Sequence, residues 1–337
     1  MNGRQTADDA LSHPPSIAII IVNYGTTALA LDAAHSVLDQ ALPDRALHIH
    51  IVDNASPGND AQILAHEIIA RGWQDRVTLW PEAVNHGFGR GNNVVLSALS
   101  RLPAPPAYVF LLNPDAALED GALARLAALL DTRPDVVAVG AGISKPDGQP
   151  VTAAFRFPSL LGEFEMAACF GPISRLLRNH RIPLPPDHPE GPVDWVAGAA
   201  VLFRLDALRD VDFFDPAFFL YFEEVDLMRR LQAKGGVIWY LPTARARHVE
   251  GAATGVASGL QRRKPSYWFH SWQLYHRRAA GIPIALLVAL AHMSGTSLHI
   301  LRSRLRRKIP ALPECYLRDF VSGALIPLLR PTRATHD

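Results

Sequence analysis

The sequence predicts an α/β protein: an open, mostly parallel sheet flanked by helices, followed by a helical C-terminal extension. Two observations carry this. Through the first half of the chain, strand-like apolar runs alternate with helix-length segments, the order that builds βαβ units. The run Ile17 to Val22 is apolar without alternation, as a strand buried on both faces of a parallel sheet requires.

The elements follow in order. A turn at Gly25-Thr26-Thr27 leads into an Ala/Leu-rich helix reaching about Gln40, then a strand over 47–52 that ends in the turn formers Asp53 to Gly58. Helices are predicted near 59–71, 89–101 and 119–131, with strands near 76–80, 108–112 and 136–139. Residues 143–192 are rich in proline and read as irregular. Order returns over 193–203 and in a helix near 223–234.

Composition limits what this architecture can do. With 337 residues, 49% hydrophobic and 19% charged, the chain can bury a sizeable core and is not globally disordered. Two cysteines, Cys169 and Cys315, exclude a disulfide framework and a multi-cysteine metal site and fit a reducing compartment. The formal net charge of +1 argues against a general nucleic-acid binder. That total hides an asymmetry, because residues 256–337 carry 13 Lys/Arg and 3 Asp/Glu. The expected organisation is a disordered stretch over 1–15, a main domain over 16–255 and a basic, largely helical extension over 256–337. Met1 to Pro15 is polar and Ile17 to Val22 is too short for a signal core, so a cytoplasmic location is expected.

Ligands of such sheets bind beyond the carboxyl ends of the strands, so the residues just after each strand carry the functional signal. Asp53 there could cap a turn or accept a hydrogen bond from a nucleobase or ribose. Asn85 to Asn93 holds three glycines, Gly87, Gly89 and Gly91, which let the backbone come close to something at a helix start. As a dinucleotide fingerprint the spacing and position are wrong. Asn113-Pro114-Asp115 offers a carboxylate on a stiffened turn, suited to a hard divalent cation on a diphosphate or to capping the next helix. Glu223, Glu224 and Asp226 follow an aromatic run over 213–222; acids among apolar groups have raised pKa values, which suits a general base. Acids decorating a helix N-terminus are the plainer alternative.

Taken in order, IVNYGTT at 21–27, VDNASPGND at 52–60, NHGFGRGNN at 85–93, LLNPDA at 111–116, DWVAGAAVLFR at 194–204, FDPAFFLYFEEVDLMRRL at 214–231 and ARARHVEG at 244–251 resemble the inverting glycosyltransferases of family 2. The similarity is to the GT-A type and to its rhamnosyltransferase-like bacterial branch. It covers roughly seven tenths of the chain.

The resemblance implies roles. Asp53 would accept the N3–H of uracil or thymine, selecting a UDP- or dTDP-sugar, dTDP-rhamnose among them. Asn23, Tyr24, Asn54, Asn85, Gly87, Gly89, Arg90, Asn93 and Asn113 would shape the donor pocket. Asp115 would hold Mn²⁺ or Mg²⁺, with His248 completing the shell; the triplet has one carboxylate fewer than the family's usual metal motif. Trp195, Gly198 and Ala199 match the acceptor side. Glu224 takes the position of the catalytic base, with Glu223 and Asp226 as the competing acids.

The tail adds a further expectation. Ala279 to Leu301 is 23 residues without Asp, Glu, Lys or Arg, followed at once by Arg302, Arg304, Arg306, Arg307 and Lys308. It could be an interfacial helix on an anionic membrane, a helix packed on the main domain, or a span. The expected partners are a nucleotide-sugar, a saccharide or polyprenyl-linked acceptor and a membrane surface, with a homo-oligomer compatible. The rival functions are an NAD-dependent oxidoreductase using the glycine loop and a non-catalytic glycan-binding protein.

Overall fold

The computed structural model describes residues 16–42, 44–249 and 263–330. The expected disorder over 1–15 and the boundary at 255 lie outside those residues. The chain begins β1 (Ile17–Asn23), α1 (Thr27–Leu38), β2 (Leu47–Asp53), α2 (Asp60–Ala70), β3 (Val77–Pro81), α3 (Gly87–Leu99), β4 (Tyr108–Leu112). It continues with β5 (Ala116–Leu118), α4 (Ala122–Thr132), β6 (Val136–Ser144), β7 (Pro150–Val151) and β8 (Ala154–Phe155). Then come α5 (Leu160–Ala168), α6 (Gly171–Leu176), β9 (Gly191–Val193), β10 (Trp195–Val196), β11 (Ala200–Arg204) and α7 (Leu205–Asp210). The last are α8 (Glu223–Ala233), β12 (Val237–His248), α9 (Ser266–Leu305), α10 (Tyr316–Phe320) and α11 (Ile326–Leu329).

One sheet organises the molecule, in the order β3-β2-β1-β4-β11-β6-β12-β5. The half β3-β2-β1-β4 is parallel throughout, and β12 runs parallel to β6, while β11 is antiparallel to both its neighbours. Every residue of β1 is buried, as its unbroken apolar run requires. The small Ala30, Ala33 and Ala34 of α1 are buried with Val37, letting the helix lie close on the sheet.

The stretch over 143–192 departs from its expected irregularity. Ser159 caps α5, its hydroxyl accepting from the Gly162 N–H at 3.2 Å. The helix escaped detection because the face it buries is polar. Glu163 and Glu165 are buried, and the Glu163 carboxylate meets His292 Nδ1 at 2.7 Å and His276 Nε2 at 3.4 Å. Burial pushes the Glu163 carboxyl up, but the close approach of His276 and the hydrogen bond with His292 outweigh it and hold it below the usual carboxylate range.

Both histidines come from α9, which ties the C-terminal part to the main domain. The helix breaks at Gly281, where φ is 77°. Its second half crosses α5 with backbones in contact: a Cβ at Gly295 would lie 2.6 Å from the Phe164 carbonyl oxygen. Arg302 donates to the Ala168 and Cys169 carbonyls, closing the end of α5. The opposite face leaves Leu287, Leu290, Leu301 and Leu305 exposed. Among the described residues, α9 is the one helix long and apolar enough to cross a membrane by length and composition.

Candidate active site

The carboxyl edge of the parallel strands gathers the motifs. Asn23 ends β1 opposite Asp53 at the end of β2. The buried Asp53 Oδ1 accepts from Asn23 Nδ2 at 3.0 Å and from Ser56 Oγ at 2.6 Å. Among the described residues nothing donates to Oδ2. Asn23 is itself fixed by Thr26, whose N–H and hydroxyl both donate to its Oδ1. Tyr24 beside it is exposed.

Asn54 organises the next loop. Its amide nitrogen donates to Asn85 Oδ1 and to the Gly87 carbonyl, and its oxygen accepts from the His86 N–H. Arg90 is exposed, with its guanidinium 3.2 Å from His86 Nδ1. The glycines of this loop approach the chain itself. A Cβ at Gly87 would lie 1.7 Å from the Phe219 carbonyl oxygen, one at Gly89 3.0 Å from Phe214 and one at Gly91 3.0 Å from Val22. Asn93 joins the same contact, exchanging hydrogen bonds with the Phe214 backbone at 2.7 and 3.1 Å. The glycine-rich loop and the segment carrying the acids are therefore locked together.

Asp115 follows β4, and β12 brings His248 to it: His248 Nε2 lies 2.9 Å from Asp115 Oδ1, with Asn113 Nδ2 at 3.5 Å from the same ring nitrogen. A carboxylate and an imidazole 133 residues apart in sequence thus share one point on the sheet edge. Among the described residues no three metal-ligating side chains cluster. Of the expected Mn²⁺ and Mg²⁺, one carboxylate with one imidazole would suit the softer Mn²⁺ better, and two side chains alone would leave most of the coordination to other oxygen ligands. The Asn113 N–H donates to the Ala199 carbonyl at 2.9 Å, joining this corner to the turn that carries Gly198 and Ala199.

The acids sit at the start of α8. Tyr221 and Phe222 precede them with φ of 70° and 67°, left-handed conformations that cost a bulky residue about 1–3 kcal/mol each. Ser271 Oγ of α9 donates to the Leu220 carbonyl at 2.9 Å, and the Phe222 ring packs against Trp268 and Tyr275. Glu223 Oε2 and Glu224 Oε2 are buried and have no hydrogen-bond partner among the described residues. Burial, then the charge of Glu224, push the Glu223 carboxyl well above the usual range; burial raises Glu224 also. Asp226 is differently employed: it takes a 2.7 Å bond from Arg230 Nε, and that guanidinium also holds the Val211 and Phe213 carbonyls.

Gly198 faces Glu224, with the glutamate Cβ 3.8 Å from where a glycine substituent would stand and Phe88 at 3.6 Å. Trp195 is half-buried, stacked on Phe155 with centroids 4.0 Å apart, its indole N–H donating to the Arg156 carbonyl. Ala199 is buried. A separate hollow lined by Val193, Gln232 and Ile238 opens at the beginning of β12, the opposite end from His248, and holds none of these groups.

A model of glycosyltransferase like family 2 matches residues 14–274. The chain belongs to that family. Among curated proteins, this glycosyltransferase is 28% identical over 224 residues to N-acetylglucosaminyl-diphospho-decaprenol L-rhamnosyltransferase of Mycobacterium tuberculosis, covering 63% of this chain and 69% of the relative. It is 25% identical to rhamnosyltransferase WbbL of Escherichia coli, over 48% of this chain and 61% of the relative. Among solved structures, the mannosyltransferase PcManGT of Pyrobaculum calidifontis with GDP-Man and Mn²⁺ superposes with a TM-score of 0.56 at 13% identity, covering 95% of this chain and 82% of that one. TarS 1-349 of S. aureus with UDP-GlcNAc gives 0.55 at 13% identity, covering 91% and 79%. GalNAc-T7 with UDP, GalNAc and Mn²⁺ gives 0.56 at 13% identity, and the chain spans 58% of its length. The fold is the GT-A glycosyltransferase fold, and the oxidoreductase reading of the glycine loop is not favoured.

The family 2 motifs quoted above thus meet on one edge. Sequence reasoning missed the contributions of Ser56 and of α9, whose Ser271, Trp268 and Tyr275 brace the turn before Glu223. Ser56 stood inside a quoted motif, but only its bonds to Asp53 and to the Gly25 N–H reveal its part. The α9 residues lay in a tail read mainly for charge.

Proposed function

We propose that this glycosyltransferase moves a sugar, rhamnose being the leading candidate, from a dTDP- or UDP-sugar to a hydroxyl of a polyprenyl-diphosphate-linked saccharide, with inversion. The reading is carried by one observation: Asp53, the Asp115–His248 pair and Glu224 border the same sheet edge, joined through the Asn23, Asn113–Ala199 and Gly198 contacts. Asp53 Oδ2 accepts the base N3–H, which cytosine lacks. Asn54 and Asn85 hold the loop that borders the nucleotide, and Arg90 reaches toward the diphosphate. Asp115 and His248 would hold Mn²⁺ or Mg²⁺, which when bound would supply positive charge to offset that growing on the leaving diphosphate.

Glu224 takes the proton of the acceptor hydroxyl as that oxygen bonds to the anomeric carbon; the bond from that carbon to the diphosphate oxygen breaks and the nucleoside diphosphate leaves. Glu223, the more strongly raised of the pair, keeps its proton, so the pair does not carry two charges. A thermal-shift and turnover screen of dTDP-, UDP- and GDP-sugars, with and without Mn²⁺, tests the assignment. Stabilisation and transfer are expected with the first two only, and a response confined to GDP-sugars would remove the role given to Asp53.

The same reading sets the protein on the cytoplasmic face of a membrane. The exposed Leu287, Leu290, Leu301, Leu305 and Ile309, beside the exposed Arg304, Arg306, Arg307 and Lys308, suit an anionic bilayer surface. Flotation with vesicles is expected to increase with the fraction of anionic lipid and fall with salt. Binding indifferent to lipid charge would count against this surface.

A further inference from the structure

Three aromatic rings stand at the rim of the acid pair without being sealed into the core. Tyr267, in the first turn of α9, has its ring 5.3 Å from that of Phe219 and 6.1 Å from that of Tyr221, nearly parallel to the latter. Phe219 is 36% exposed and both tyrosines are half-buried, whereas Phe269, Trp272 and Tyr275 of the same helix are fully buried. The trio borders both halves of the site. Phe219 accepts the Phe88 N–H from the nucleotide-side loop, and the Tyr221 phenol is raised by burial, by Tyr267 and by the charges of Glu223 and Glu224. Partly exposed aromatic rings beside a carboxylate are surfaces on which the C–H faces of a sugar pack.

A cation adjoins this platform. Lys264 lies two residues ahead of α9, in the extended segment that leads into it, with its Nζ 4.1 Å over the Trp268 ring. The preceding Arg263 is paired with Asp319, but among the described residues Lys264 has no carboxylate partner. Trp268 packs edge-on against Phe222, the residue just before the acid pair, with ring centroids 6.1 Å apart, so one indole stands between this ammonium and the ring that precedes the acids. Burial lowers the amine to about 8, which leaves it mostly charged at neutral pH and incompletely hydrated.

We propose that Phe219, Tyr221 and Tyr267 form the platform for the acceptor sugar, and that Lys264 receives the diphosphate joining that sugar to its lipid. This rests on the glycosyltransferase reading above and identifies the acceptor side of the same site. A diphosphate could reach Lys264 from the donor or from the acceptor, and the two sources separate kinetically.

The test measures transfer to two acceptors that differ only in the linker: N-acetylglucosaminyl-diphospho-farnesol and the neutral octyl N-acetylglucosaminide. Lys264→Gln is expected to raise KM for the first at least tenfold, to change that for the second less than twofold and to leave donor KM unchanged. Lys264→Arg restores most of the loss. Tyr267→Ala is expected to raise KM for both acceptors with donor affinity retained, and unfolding midpoints of all variants verify that the fold is intact. A rise confined to donor KM, or unchanged KM for the diphosphate acceptor, would overturn the proposal and leave the glycosyltransferase reading standing. Wild-type protein that binds no nucleotide-sugar would overturn both.

Discussion

Glu224→Gln lowers the transfer rate by about 10²–10⁴-fold, the usual worth of a positioned general base, while nucleotide-sugar affinity stays near that of the wild type. The amide occupies the same space and hydrogen-bonds the same hydroxyl, but it cannot accept the proton. Single-turnover transfer together with calorimetric donor binding measures the two halves of this expectation. Wild-type turnover in the variant would remove Glu224 from the mechanism. The pH profile supplies an independent signature. Only the ionised carboxylate is a base, and burial raises the Glu224 carboxyl, so the rate climbs with pH through an inflection above the ordinary glutamate value. Glu223→Gln exchanges a protonated neighbour for a neutral amide, so that inflection is expected to stay where burial of Glu224 puts it.

The second large effect is structural in origin. Gly87→Ala puts a methyl 1.7 Å from the Phe219 carbonyl oxygen, at a position where φ is 74°. The backbone conformation alone costs about 1–2 kcal/mol for an L side chain. Gly72→Ala isolates that cost, because φ there is 67° and nothing stands within 4 Å of the added carbon. The excess loss at Gly87 then reports the overlap. It is expected to bring the total to about 3–5 kcal/mol, the range reached when tight packing is broken. Activity falls with it, since relief of the clash moves the 214–222 segment and the acids it carries. Equal unfolding midpoints for the two variants would mean that the contact between the loops is dispensable.

Much of the site was legible because strand ends are legible. The apolar run of β1 and the turn formers after β2 mark where Asp53 must stand, and the same logic finds Asp115 after β4. His248 was found through the family's motif order, since nothing local marks a histidine at the end of a long strand as the neighbour of a carboxylate 133 residues earlier. The glycines of 87–91 carried a true signal for close approach, but a sequence cannot say whether the approaching surface is a ligand or the protein's own backbone. Helix α5 was invisible for a different reason. Apolar periodicity reveals a helix that buries carbon, and this one buries Glu163 against two histidines of α9. Likewise, charge and length describe the tail as a membrane candidate, whereas its first half spends its aromatic face on the turn preceding the acids.

That bracing alters how the tail should be regarded. Tyr221 and Phe222 hold a disfavoured backbone geometry through Ser271, Trp268 and Tyr275, residues that arrive at least 45 positions later in the chain. During synthesis, the strands carrying Asp53 and Asp115 emerge before the helix that braces the turn ahead of Glu223 and Glu224. On the proposed function, a nascent chain would engage a donor before its base is aimed, and chemistry would wait for α9 to dock.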